Sequence, residues 1–139
     1  MSAGSAPSTV RVLHLWLDGN AAVVGVEPTL ATWQRFVGGG YIEFVLLAWL
    51  AEGEQLVAIV NEEGQATQPA SPWIWPAGLG TPGQPIYGPF VIARWRHEPD
   101  GDDHAVDLDD ANLRRGLALF SWQPRQLFNT LRQRTEEAS

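Results

Sequence analysis

The sequence predicts a single α+β domain: a mainly antiparallel sheet of about five strands, one helix between strands 2 and 3, and C-terminal helices packed on the sheet. Three observations carry this expectation. Tyr41 to Leu50 and Leu56 to Val60 are apolar runs separated by the short polar stretch Ala51-Glu52-Gly53-Glu54-Gln55, the spacing of a hairpin. Gly38-Gly39-Gly40 stands between a helical pattern and the first of these runs, where a helix must stop and the chain reverse. From Asp109 onward the apolar spacing changes from strand-like to helical.

Taken in order, residues 1–9 are small, hydroxylated and proline-containing, offer almost nothing to bury, and are expected to form a disordered arm. Val10 to Leu17 is a largely apolar strand, and Asp18-Gly19-Asn20 turns the chain into a second strand over Ala21 to Glu27. Pro28-Thr29 opens a helix with Thr29 as its cap and Leu30, Trp33, Phe36 and Val37 on one face. A glycine triplet also invites comparison with a phosphate cradle, but such cradles precede a helix and this triplet follows one. At least one of the three glycines should therefore have positive φ.

The central hairpin ends at Asn61-Glu62-Glu63-Gly64, which reads as a β-turn with Asn first and Gly last. Gln65 to Gly88 carries five prolines and four glycines without clear periodicity, and a loop of this length in a small domain is usually functional. Trp73, Ile74, Trp75, Leu79 and Tyr87 within it argue for packing over the sheet or for a recognition surface. Pro89 to Arg96 returns to strand character, and His97 to Asp107 is an acidic turn. Asp109 caps a helix in which Leu108 and Leu113 have the spacing of a hydrophobic staple. Pro124 ends or kinks that helix, and Leu127, Phe128 and Leu131 suit a short second one. The organisation expected is an arm over 1–9, one domain over 10–123 and a helical extension over 124–139.

Composition limits the chemistry. Hydrophobic residues make up 45% of the 139 and charged residues 18%, enough apolar surface for one core without disulfides. All nine basic residues are arginine, a hint of a high-GC source, and the net charge of −7 makes nucleic acid an unfavoured partner. With no cysteine there is no thiolate metal site and no thiol nucleophile. The first nine residues lack the features of a signal peptide and no apolar run is long enough to span a bilayer, so a cytoplasmic protein without membrane attachment is expected.

No motif specifies a reaction. Glu62 and Glu63 are adjacent, so in a strand they would face opposite ways and converge only if the turn bends them together. The acidic run from Glu98 to Asp110 does not match a calcium-binding loop and reads as a solvated hairpin tip leading into a helix cap; no metal and no cofactor is expected. His14, His97 and His104 have no metal-ligand spacing, and no serine sits in a nucleophile elbow. Of the seven tryptophans, Trp16, Trp33, Trp49 and Trp95 fall on predicted strands or the helix and are expected in the core or at its margin.

Several segments in order, Glu27-Pro28, Val37 to Glu43, Val60 to Gly64, Tyr87 to Ile92 and the capped helix from Leu108, together resemble the family of phage- and plasmid-associated domains of unknown function numbered 3846. The resemblance covers about four-fifths of the chain. It implies a phage or mobile-element setting and transfers no catalytic residue. The tryptophan-rich stretch Pro72 to Pro85 and the extension after Pro124 depart from the family pattern.

The function expected is that of a non-enzymatic binding module whose 69–88 loop contacts a host protein or a small-molecule ligand. Trp73, Trp75, Tyr87, Asn61, Glu62 and Glu63 are the candidate binding residues. The alternative is a small enzyme in which Glu62 or Glu63, assisted by His97, acts as a general base on a nucleotide-like or other polar substrate.

Overall fold

The computed structural model describes residues 9–120; the extension over 124–139, its helix and all of the predicted arm except Thr9 lie outside them. Two hairpins flank one central strand. β1 (Val10–Leu15) pairs with β2 (Ala21–Val26), and β3 (Ile42–Trp49) pairs with β4 (Glu54–Asn61). β7 (Phe90–Arg96) runs antiparallel between β1 and β4, which gives the order β2-β1-β7-β4-β3. β8 (His104–Val106) continues the β1 edge of β7, pairing with Arg94 to Arg96 where β1 has left it. The expected mixed fold with a mainly antiparallel sheet and a helix between strands 2 and 3 is the one observed.

Both faces of the sheet are apolar, so both must be covered. On one face Leu13, Leu15, Leu56, Ala58, Phe90 and Ile92 pack under Trp73, Trp75, Ile86, Leu108 and Phe120. These covering side chains come from the small antiparallel pair β5 (Ala70–Ile74) and β6 (Pro85–Tyr87), with Trp75 directly after β5, and from the run-in and the body of α3 (Asp110–Phe120). On the other face Val10, Val12, Val57, Ile59, Val91 and Ala93 pack against Trp33 and Val37 of α1 (Leu30–Phe36) and its C-cap. The opposite orientation of successive residues along each strand sorts them into these two layers.

Local chemistry explains the element ends. Thr29 accepts the Thr32 N–H and caps α1 as expected. Gly38, Gly39 and Gly40 all have positive φ, at +94°, +95° and +79°, and the Gly39 N–H returns to the Gln34 carbonyl at 2.7 Å. The triplet is a helix stop. Asp109 accepts from the Asn112 backbone and side chain at the start of α3, and Leu108 and Leu113 both pack into the core.

Three expectations are corrected. The stretch from Gln65 to Gly88 is not a structureless loop: it contains the end of a one-turn helix α2 (Gly64–Thr67) and the β5–β6 pair, whose partners lie ten or more residues apart and leave no periodic signal. The acidic turn after His97 contains β8. Trp16 and Trp49 are exposed, at 45% and 66%, because one follows the last paired residue of β1 and the other ends the edge strand β3.

The only buried carboxylate pair-former in the sheet is Glu54 among the described residues, and it sits between two guanidinium groups. Arg94 and Arg96, two residues apart on β7, both bond to it, Arg96 Nε at 2.8 Å. Burial pushes the Glu54 carboxyl up, but the hydrogen bonds from Arg96 and Arg94 outweigh it and hold the group below its ordinary value.

Two measurements check this account. Gly39→Val places a β-branched side chain at φ +95° with open space around it, so the expected loss is the backbone strain alone, about 1–2 kcal/mol, read as a fall in Tm of roughly 3–8 °C. An unchanged Tm would contradict the helix-stop geometry. Because the folded pKa of Glu54 is lowered, its ionised form stabilises the protein above the unfolded value of 4.5 and this contribution is lost as pH falls through the folded value. Glu54→Gln should therefore lower stability near neutral pH and flatten its decline below pH 4.5 in urea melts at a series of pH values.

Candidate functional site

Where β3 begins and β4 ends, the β5–β6 pair stands away from the sheet and leaves a cleft of about 320 Å³. Its apolar floor is Val60 of β4, Trp75 and Ile86. Glu43 reaches it from β3, directly across from Val60 in the strand register, and Glu62 from the turn that follows β4. Gln65, Thr81, Gln84 and Tyr87 complete a polar rim. The cleft closes at one side because Gly64 lets α2 approach β6: a Cβ there would lie 2.7 Å from the Tyr87 carbonyl oxygen.

Electrostatically the cleft is acidic. Glu43 and Glu62 are both exposed, and among the described residues neither has a cationic partner. Polar rim groups over an apolar floor are the usual composition of a small-ligand site, here with negative charge uncompensated at its mouth.

The candidate residues read from the sequence divide clearly. Glu62, Tyr87 and Trp75 meet in the cleft. Trp75 contributes mainly a wall, being 7% exposed and packed edge-on to Phe120. Trp73 does not reach the cleft; it is buried against Phe90, and its indole N–H donates to the Trp16 carbonyl. Glu63 precedes α2 and does not line the cleft either.

Asn61 borders the cleft but its side chain is committed to structure. Its Nδ2 donates to the Val37 carbonyl at 3.1 Å and the Gly39 carbonyl at 2.8 Å, while its Oδ1 accepts the Glu63 N–H at 2.9 Å. One amide thereby joins the end of α1, the glycine turn and the end of β4.

His97 belongs to a different place. Its ring nitrogens bond to Asp103 at 2.7 Å and Gln55 at 2.8 Å, beside the start of β4. Glu62 lies past the other end of that strand, so the two are separated by about 20 Å at the rise of an extended chain. Asp103 is held below the usual carboxylate range by the His97 hydrogen bond and then by the Glu98 N–H. The rest of the acidic run is also engaged locally: Asp107 accepts the Arg11 N–H, Asp110 pairs with the Arg11 guanidinium, and Asp100 accepts the Asp102 N–H. Among the described residues no three His, Asp or Glu side chains converge as a metal set.

Glu43, Gln65, Thr81 and Gln84 were not singled out from the sequence as site residues. Glu43 carried the one usable signal, a lone charge early in an apolar strand. Thr81 and Gln84 are placed by a hairpin that the sequence does not announce.

Comparison of the chain with family models, with curated proteins and with solved structures finds no match in any of the three. Among the described residues no helix is long and apolar enough to cross a membrane.

Asn61→Ala tests whether that residue is structural. It strands two carbonyls at the end of α1, at a cost of about 2–3 kcal/mol, and should lower Tm in thermal melts. A Tm equal to that of the wild type would contradict this structural role.

Proposed function

We propose that this protein is a non-enzymatic binding module and that the acidic cleft beneath the β5–β6 pair receives a basic group, an amine or guanidinium, carried by a host protein or a small molecule. The observation that carries this reading is the pairing of two exposed, uncompensated carboxylates, Glu43 and Glu62, with an apolar floor in one cleft. A cation entering there exchanges water for a charge-assisted contact while its carbon stem covers Val60 and Ile86. The phage or mobile-element setting and the cytoplasmic location belong to the same proposal, resting on the family resemblance and on composition.

Recognition through this cleft uses the 69–88 segment through Tyr87, Thr81 and Gln84 more than through its tryptophans. The same carboxylates disfavour nucleic acid. The enzymatic alternative requires a second proton-transfer group near Glu62, and His97, the residue assigned that role, stands at the opposite end of β4.

Calorimetric titration with agmatine tests the charge chemistry directly. Saturable binding is expected, weakening by at least about fivefold for Glu43→Gln or Glu62→Gln and falling with added salt. Binding that ignores both substitutions, or no binding by agmatine and by an arginine-bearing peptide alike, would refute the reading.

A further inference from the structure

On the other face of the sheet, beside the end of α1, a second cleft of about 280 Å³ is bounded by His14, Trp16, Arg35, Phe36 and Pro89. Its chemistry is the reverse of the acidic cleft. The Arg35 guanidinium lies 5.7 Å from the centre of the Phe36 ring, is exposed, and has no acidic partner among the described residues. Trp16 is 45% exposed although it is a large aromatic, and its ring centre is 4.2 Å from that of His14.

His14 itself is 3% exposed. Its Nε2 lies 3.1 Å from the Phe36 carbonyl oxygen, which can only accept, so Nε2 carries the proton. Nδ1 is then a bare acceptor, and among the described residues it is the buried side-chain polar atom without a hydrogen-bond partner. Burial lowers the His14 pKa against the opposing effect of the Phe36 carbonyl, so the ring remains neutral and Nδ1 keeps its lone pair. Buried acceptors are seldom left unmatched in a native protein, and this one belongs to a residue that lines an aromatic cleft.

We propose that this cleft is a binding site for a small aromatic acid, one planar ring bearing a hydrogen-bond donor at one end and a carboxylate at the other. The ring lies against Trp16 and Phe36, the donor satisfies His14 Nδ1, and the carboxylate meets Arg35 at the rim. The cleft is at the small end of ligand sites, which limits the body to a single ring. The Trp16 ring, close to His14 and free of the sheet on its outer side, is the group that adjusts to admit the ligand. This site shares no lining residue with the acidic cleft.

The test uses three probes, 4-hydroxybenzoate, benzoate without the donor, and 4-hydroxybenzyl alcohol without the acid, with calorimetry and nitrogen-15 NMR of the histidine side chains. The full probe should bind at least about fivefold more tightly than either truncated one, and the His14 Nδ1 resonance should move with 4-hydroxybenzoate but not with benzoate. Arg35→Gln, on an exposed helical position that leaves the fold intact, should remove the preference for the acid over the alcohol. Equal binding of benzoate and 4-hydroxybenzoate, an unmoved Nδ1 resonance, an acid preference that survives Arg35→Gln, or no saturable binding of any probe would each overturn the proposal.

Discussion

β7 is the constraint from which the rest of the chain path follows. Phe90, Val91, Ile92 and Ala93 are fully buried in succession, so this strand has no water-facing side. Both its edges are also paired, one with β4 and the other with β1 and then β8. A strand of this kind requires cover on both faces and neighbours on both edges before any of its burial is realised. The chain supplies the neighbours first, as two hairpins, and carries α1 across one face on the way from β2 to β3. The other face is covered by residues 70–87, which immediately precede β7, and by α3, which follows β8. Long-range pairing therefore dominates this fold, and the central strand enters only after most of its partners have been made.

The charged groups at the far end of β7 follow from the same arrangement. Arg94 and Arg96 are half-exposed where the apolar run ends, and Glu54 at the start of β4 lies between them. Arg94 also reaches Asp109, the residue that caps α3, at 3.4 Å. One carboxylate and two guanidinium groups thus mark where the sheet stops being apolar, and Arg94 ties that boundary to the helix covering the sheet. Desolvating Glu54 opposes the arrangement, and only the double hydrogen bonding makes ionised glutamate tolerable there. The contribution is mainly to register: a slip of β4 against β7 by one residue would turn Glu54 away from both arginines.

How much of this was legible in the sequence depended on whether the determining contact was local. Thr29 and Asp109 are caps whose partners lie three residues away, and the glycine triplet requires positive φ whatever surrounds it, so these elements could be read directly. β5 and β6 could not, because Pro72 and Pro85 interrupt the strand pattern and the pairing is made across a long connection. β8 is three residues long and exists only because β7 offers it an edge. Trp73 shows the limit for function: an aromatic in a proline- and glycine-rich stretch suggests recognition, yet its indole N–H found a buried carbonyl at Trp16 and its ring found Phe90. Asn61 is the same case for a polar side chain. Nothing in Asn-Glu-Glu-Gly indicates that the amide will bind carbonyls 22 and 24 residues earlier in the chain.

The end of α1 joins the two clefts physically. Three carbonyls there, of Phe36, Val37 and Gly39, have no partner within the helix, and side chains from two different strands bond to them: His14 of β1 takes the first, Asn61 of β4 the other two. Asn61 then holds the Glu63 N–H, next to the carboxylate that enters the acidic cleft. A helix end pinned in this way fixes the position of Arg35 and Phe36 relative to Glu62, although the two clefts open on opposite faces of the sheet. A chain of bonds of this kind fixes distances; it conveys a signal only where a member has a second arrangement available. Asn61 uses both its amide atoms, whereas His14 uses one of its two ring nitrogens. Slack in the network is therefore concentrated at His14, on the side of the aromatic cleft, and the acidic cleft is held by the stiffer half.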